Sequence, residues 1–138
     1  MSGRGGAWVV GSLVAVVLSA CAPPGDSASD TARDFYAAVA AGDGDAACAA
    51  LAPLVADAVE DAEQAPCADA LTTGDLGEDL LSRAGGAGDP RVRVAGRQAQ
   101  VRLGADTMFL ARSGDGWVVT AAGCTARPER PYDCEVAE

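Results

Sequence analysis

The spacing of apolar residues changes once along this chain, at Gly85-Gly86-Ala87-Gly88-Asp89-Pro90, and that change limits the folds open to it. Before the break, apolar residues recur three and four apart, the period of a helix packed on one side. After it they alternate, the period of a strand with one dry face. Helices followed by an antiparallel sheet make an α+β domain, with N-terminal helices packed on a curved sheet of about four strands.

The helical half reads in pieces. Asp30 to Ala41 carries Ala32, Phe35, Tyr36, Val39 and Ala40 on one face, with Asp30 or Thr31 as cap and Gly42 as stop. Gly42-Asp43-Gly44-Asp45 is a turn and helix cap; it lacks the closing Glu of a calcium loop. A short helix follows from Asp45 to Leu51. Pro53 opens another to about Gln64, with Leu54, Val55, Ala58, Val59 and Ala62 opposite a solvated face of Asp57, Glu60, Asp61 and Glu63. Pro66-Cys67 breaks it, and Gly74 to Arg83 is a last helical piece. The strands expected are Arg91–Ala95, Gln98–Leu103, Thr107–Arg112 and Trp117–Ala122, with Phe109 and Trp117 as the large core residues.

The N-terminus carries a different message. Arg4 precedes an apolar block from Trp8 to Leu18, which is short of the roughly 20 residues that a spanning helix needs. A basic start, a short apolar core and small residues at the cut describe a signal peptide. Leu18-Ser19-Ala20-Cys21 then has the form of a bacterial lipobox, in which the thiol of Cys21 accepts a diacylglyceryl group. Two acyl chains suffice for stable attachment. The expected organisation is a signal peptide over residues 1–20, a flexible lipid-anchored tether over 21–29 and one domain over 30–138. The expected location is the extracytoplasmic face of the cell membrane. Ordinary secretion by cleavage at Ala20 is the rival.

Cysteine usage fits export. Removing Cys21 from five cysteines leaves Cys48, Cys67, Cys124 and Cys134. Four cysteines outside the cytoplasm suggest two disulfides. Three pairings exist; Cys48–Cys67 and Cys124–Cys134 close the loops within each half and are favoured. No CxxC and no His offer a zinc site, so no metal or cofactor is expected. The segment from Gly123 to Cys134, closed by its bond, is expected as a stiff surface loop presenting Arg127, Arg130 and Tyr132 for contact.

Charge narrows the partners. From Cys21 onward nine Arg meet twenty acids, a net charge of −11 that disfavours nucleic acid and anionic lipid and would hold the body off a membrane surface. The distribution is uneven: Asp26 to Asp89 holds fourteen acids and two Arg, Pro90 to Glu138 six acids and seven Arg. Arg91, Arg93 and Arg102 belong to one strand face or its rim. No Lys, no His and abundant Ala, Gly and Asp resemble the composition of a high-GC actinobacterium.

The run Asp34-Phe35-Tyr36-Ala37-Ala38-Val39 before Gly42-Asp43, the helical middle with Cys48, and the Arg91–Ala122 meander with Gly116-Trp117-Val118-Val119 resemble small actinobacterial lipoproteins with a nuclear transport factor 2-like (cystatin-like, SnoaL-like) domain. The resemblance spans about Asp30 to Ala122. It implies a cone of helices against a bent sheet, with a pocket that Phe35, Tyr36, Phe109 and Trp117 would line. The expected function is a non-catalytic binding or interaction module of the cell envelope, engaging an envelope protein or a small apolar ligand. The alternative is a small-molecule enzyme or ligand carrier of the ketosteroid isomerase or SnoaL-like type, which pairs a buried Asp base with a Tyr donor. Asp106 and Tyr36 are the weak candidates for those roles, because Asp106, between Ala105 and Thr107, does not stand at a clearly apolar position. The lack of His excludes a Ser-His-Asp triad.

Overall fold

A computed structural model describes residues 24–84 and 88–138. The expected signal peptide, Cys21 and the first tether residues lie outside the described residues, as do residues 85–87 of the boundary loop. Five helices, α1 (Pro24–Ala41), α2 (Gly44–Ala49), α3 (Pro53–Glu63), α4 (Cys67–Ala70) and α5 (Gly74–Ala84), precede five strands. These are β1 (Arg91–Ala95), β2 (Gln98–Leu103), β3 (Asp106–Ser113), β4 (Gly116–Arg127) and β5 (Arg130–Ala137). The strands form one open antiparallel meander in sequence order. The fold is therefore α+β, with one more strand than expected. No described helix is long and apolar enough to cross a membrane.

α1 starts at Pro24, so residues 24–29 are helix and not tether. Proline is tolerated in a first turn, where its missing N–H has no helical partner anyway. Ala28 extends the stripe of Ala32, Phe35 and Val39 by one helical step, and all four are buried. Ser29 and Thr31 turn their hydroxyls back onto the carbonyls of Asp26 and Ser27, at 2.8 and 3.1 Å. Asp43 caps α2, accepting the Ala46 N–H at 3.1 Å.

The inner sheet face packs on these helices through Ala99, Val101, Met108, Leu110, Trp117 and Val119. The segment after α2 closes part of the open edge of β4: Ala52 N–H donates to Val119 O at 2.8 Å, and Val119 N–H to Ala50 O at 2.9 Å. The pairing of β3 with β4 shifts register twice, between Thr107 and Phe109 and between Phe109 and Leu110. Gly123 sits in the bulged stretch with φ +65°, a conformation other residues rarely adopt.

Two further expectations are corrected. Phe109 is not a core residue. With Met108 and Leu110 both buried, strand alternation sends Phe109 to the outer face, where its ring meets Tyr132 edge-on at 5.1 Å. The tail is not a free-standing loop either. β5 pairs with β4 from Arg127↔Arg130 to Ala121↔Ala137, and Val136 is fully buried. An edge strand accommodates Pro131, since one side of its ladder needs no partner.

The disulfides join Cys48 to Cys67, with Cα atoms 5.9 Å apart, and Cys124 to Cys134, at 3.9 Å. The first ties α2 to α4. Gly44 lets these helices meet, because a Cβ there would lie 2.1 Å from Ala68 O. The second crosses β4 and β5, where the two cysteines are register partners.

Facing and burial predict unequal costs for the two large rings of the sheet. Trp117→Ala should destabilise by about 4 kcal/mol and Phe109→Ala by about 1–2 kcal/mol in urea unfolding. A larger loss for Phe109→Ala than for Trp117→Ala would show that the two faces have been exchanged. Replacing both Cys48 and Cys67 by Ser should cost about 3 kcal/mol in the same measurement, given the separation of 19 residues between them.

Candidate functional site

The most polar point of the interior is Asp106, the first residue of β3, whose side chain is inaccessible to solvent. Four groups from three elements converge on it. On Oδ2, the Tyr36 hydroxyl donates from α1 and Gly123 N–H donates from β4 at 3.2 Å. On Oδ1, Cys124 N–H donates at 2.9 Å, and Arg83 Nη1 of α5 stands 3.7 Å away. Local geometry explains the convergence. The bulge at Gly123 aims two successive amides to one side of β4, as an extended strand would not. Arg83 is oriented by Asp79, one turn earlier, through an Nε–Oδ2 contact of 2.6 Å. Among the described residues no buried side-chain nitrogen or oxygen lacks a partner.

This enclosure limits what the carboxyl can do. Two oxygens offer about four lone-pair directions; three hydrogen-bond donors occupy three of them, and Arg83 at 3.7 Å adds charge without a hydrogen bond. A general base must keep a lone pair within reach of the proton it removes. Asp106, closed to solvent, keeps none in such reach. Tyr36 is likewise committed: burial first, then the charge and hydrogen bond of Asp106, raise its pKa well above the ordinary 10.0 and keep it neutral. The Asp–Tyr pair expected of a ketosteroid isomerase-like site is present, and it joins α1 to the sheet.

Beside this node lies an open cavity of about 310 Å³, lined by Arg33, Tyr36, Ala37, Ala40, Ala84, Gly88 and Leu103. Its walls are mainly apolar, with Arg33 as the one charged group. The four aromatics expected around a pocket do not converge there. Tyr36 lines it. Phe35 stacks edge-on against Tyr36 at 5.2 Å but is fully buried. Trp117 is in the core, with Nε1 donating to Ser27 Oγ at 3.0 Å, and Phe109 is on the far side of the sheet.

The outer sheet face is a second polar surface. Tyr132 lies back over it, its hydroxyl accepting from Gln100 Nε2 at 3.2 Å and facing Arg102 Nη2 at 3.5 Å. The Arg102 hydrogen bond lowers the Tyr132 pKa. A groove of about 290 Å³ runs beside Phe109 between Arg93, Ala95, Gln98 and Gln100. Arg127 and Arg130 are register partners at the hairpin end, both exposed, and do not share a loop surface with Tyr132. Among the described residues no group of three or more His, Cys, Asp or Glu could hold a metal.

Arg83 and the Gly123–Cys124 amides escaped the sequence reading. Gly123 within an apolar strand was the available signal, since an isolated glycine there marks a bulge. Nothing local marked Arg83. No family model, curated protein or solved structure matches this chain.

The node predicts a pH response. A tyrosine with a raised folded pKa stabilises fully below its unfolded pKa, near 10, and loses that contribution as pH rises beyond it. Stability should fall by about 1.4 kcal/mol per pH unit above pH 10 from this group, and Tyr36→Phe should remove that component of the slope. Asp106→Asn should cost about 3 kcal/mol, because an amide NH₂ would then face N–H or O–H donors. A melt of that variant within 1 °C of the parent, as a rough bound, would mean the node carries no stability.

Proposed function

We propose that this chain is an exported lipoprotein, fixed to the extracytoplasmic face of the cell membrane through lipid on Cys21, whose domain follows the nuclear transport factor 2-like plan and acts as a non-catalytic binding or interaction module of the envelope. The observation that carries the non-catalytic part is the enclosure of Asp106. Asp106, the one buried carboxyl among the described residues, is hydrogen-bonded by Tyr36, Gly123 and Cys124, ion-paired with Arg83 and closed to solvent. The lipobox supports the anchor, and the paired cysteines suit an oxidising compartment.

The cavity beside Tyr36 favours a small, largely apolar ligand as one occupant, with Arg33 as its polar contact. A protein partner in the envelope is the other. A photo-crosslinking residue at Ala40, which lines the cavity, separates them in intact cells: a lipid or small-molecule adduct supports the first, a discrete protein adduct the second. No adduct above that of the same residue at Ala49, on α2, would remove the cavity from the proposal.

The anchor has its own test. Cys21→Ser should abolish incorporation of a fatty-acid probe and leave the protein in precursor or released form. Undiminished labelling of that variant would end the lipoprotein reading.

A further inference from the structure

We propose that the end of the domain where α1 begins rests against anionic lipid head groups, with Arg93, Arg97 and Arg112 as the contacting side chains. This rests on the reading of Cys21 as the anchor.

Chain length gives the first argument. Only Ala22 and Pro23 lie between Cys21 and the start of α1 at Pro24, three residue steps in all. An extended chain covers at most about 3.6 Å per residue, so the link reaches about 11 Å. The helix it joins cannot swing away on its own. A Cβ at Gly25 would touch Val92 Cγ1 at 3.7 Å, and Ser27 is bonded to Trp117. The domain thus has little freedom to stand off, and the surface around the start of α1 faces the membrane.

That surface is basic. From Ser27 the contacts run to Trp117, then to Arg112, whose guanidinium stacks 4.8 Å from the Trp117 ring. Arg112 N–H donates to Arg97 O at 2.9 Å, and Arg97 Nη2 donates to Arg112 O at 3.2 Å. Arg93 follows Val92 on β1 and is exposed, as is Arg97. Among the described residues Arg83 alone has a carboxylate within ion-pair distance, so these three guanidinium groups are not neutralised within the protein. Asp26 and Asp115 share this end; Arg112 Nη1 donates to the Asp115 carbonyl at 3.1 Å, and neither carboxylate lies within ion-pair distance of the three arginines.

The net charge of the whole chain argues for repulsion, but charge acts through distance. α2, with Asp43 and Asp45 at its start, follows the far end of α1. Eighteen helical residues put it about 27 Å away. The Debye length at physiological ionic strength is about 8 Å, so those acids are screened from a surface that the arginines touch. The protein therefore sits on an anionic membrane with its Arg-bearing end down and the acidic α2 end outward.

The test attaches the chain beginning at Cys21 through its thiol to a maleimide lipid in vesicles, so the result does not depend on whether the cell acylates Cys21. A genetically encoded fluorescent residue replaces either Ser113, beside Arg112, or Ala46, on α2. Quenching by a spin-labelled head group is compared in phosphatidylglycerol–phosphatidylcholine and pure phosphatidylcholine vesicles. The Ser113 probe should be quenched far more than the Ala46 probe in the anionic vesicles. Each arginine near the surface biases orientation about five-fold, so Arg93→Gln with Arg97→Gln should reduce the ratio about 25-fold. Arg130→Gln, at the opposite end of β4, should leave it unchanged. Equal quenching of the two probes, or a ratio indifferent to the double substitution or to phosphatidylglycerol, overturns the proposal. Loss of fatty-acid labelling in cells bears instead on the anchor itself.

Discussion

One carboxyl group holds the two halves of this protein in register. Asp106 takes donors from α1, from α5 by charge, and from two consecutive amides of β4, so each element is positioned relative to the same pair of oxygens. A buried charge with several fitted donors is costly to disturb singly, because any missing donor leaves an unmet acceptor in a dry interior. The node specifies how α1 lies across the sheet; the apolar contacts around it specify only that the two should touch. The bulge in β4 follows from this arrangement. A regular strand would have spent the Gly123 and Cys124 amides on the sheet ladder.

The bulge also shapes the sheet. Beyond Gly123, β4 carries on to pair with β5, and Val136 reaches the core. The hairpin so formed brings Tyr132 over Phe109 and Arg102 on the outer face. The inner face is devoted to packing. The outer face, with arginines, glutamines and two aromatic rings, keeps a chemical character that the helices do not cover. The small cavity by Tyr36 lies between these systems, bounded by α1, α5 and β2.

What the sequence disclosed was local. The apolar stripes of α1, α3 and α5, and the alternation of β1 and β2, lie within a few residues of one another, and they marked helices and strands well. Three features were hidden for distinct reasons. The start of α1 is written in Pro, Gly, Asp and Ser, a loop composition, and only burial of Ala28 makes it helix. β5 contains Pro131 and alternating polar residues; it becomes a strand because β4 offers an edge and Cys124 holds Cys134 there. Phe109 was assigned to the core by size, whereas its parity with Met108 and Leu110 sends it outward. The candidate site was least legible of all: Tyr36 is 70 residues from Asp106, and the amides that complete the node are 17 and 18 residues away. No local pattern encodes such a meeting.

The order of the disulfides bears on biogenesis. Each bond joins cysteines that are neighbours in the sequence order of the four, Cys48 with Cys67 and Cys124 with Cys134. A chain that emerges from a translocation channel N-terminus first presents them in that same order. An oxidase that links each new thiol to the one before it would therefore produce the native pairs directly, Cys48 having found Cys67 well before Cys124 appears. Thiol–disulfide exchange is needed only when early pairs are wrong. For a chain exported in the way proposed above, vectorial oxidation and the folded connectivity coincide, and the native pairs form without reshuffling.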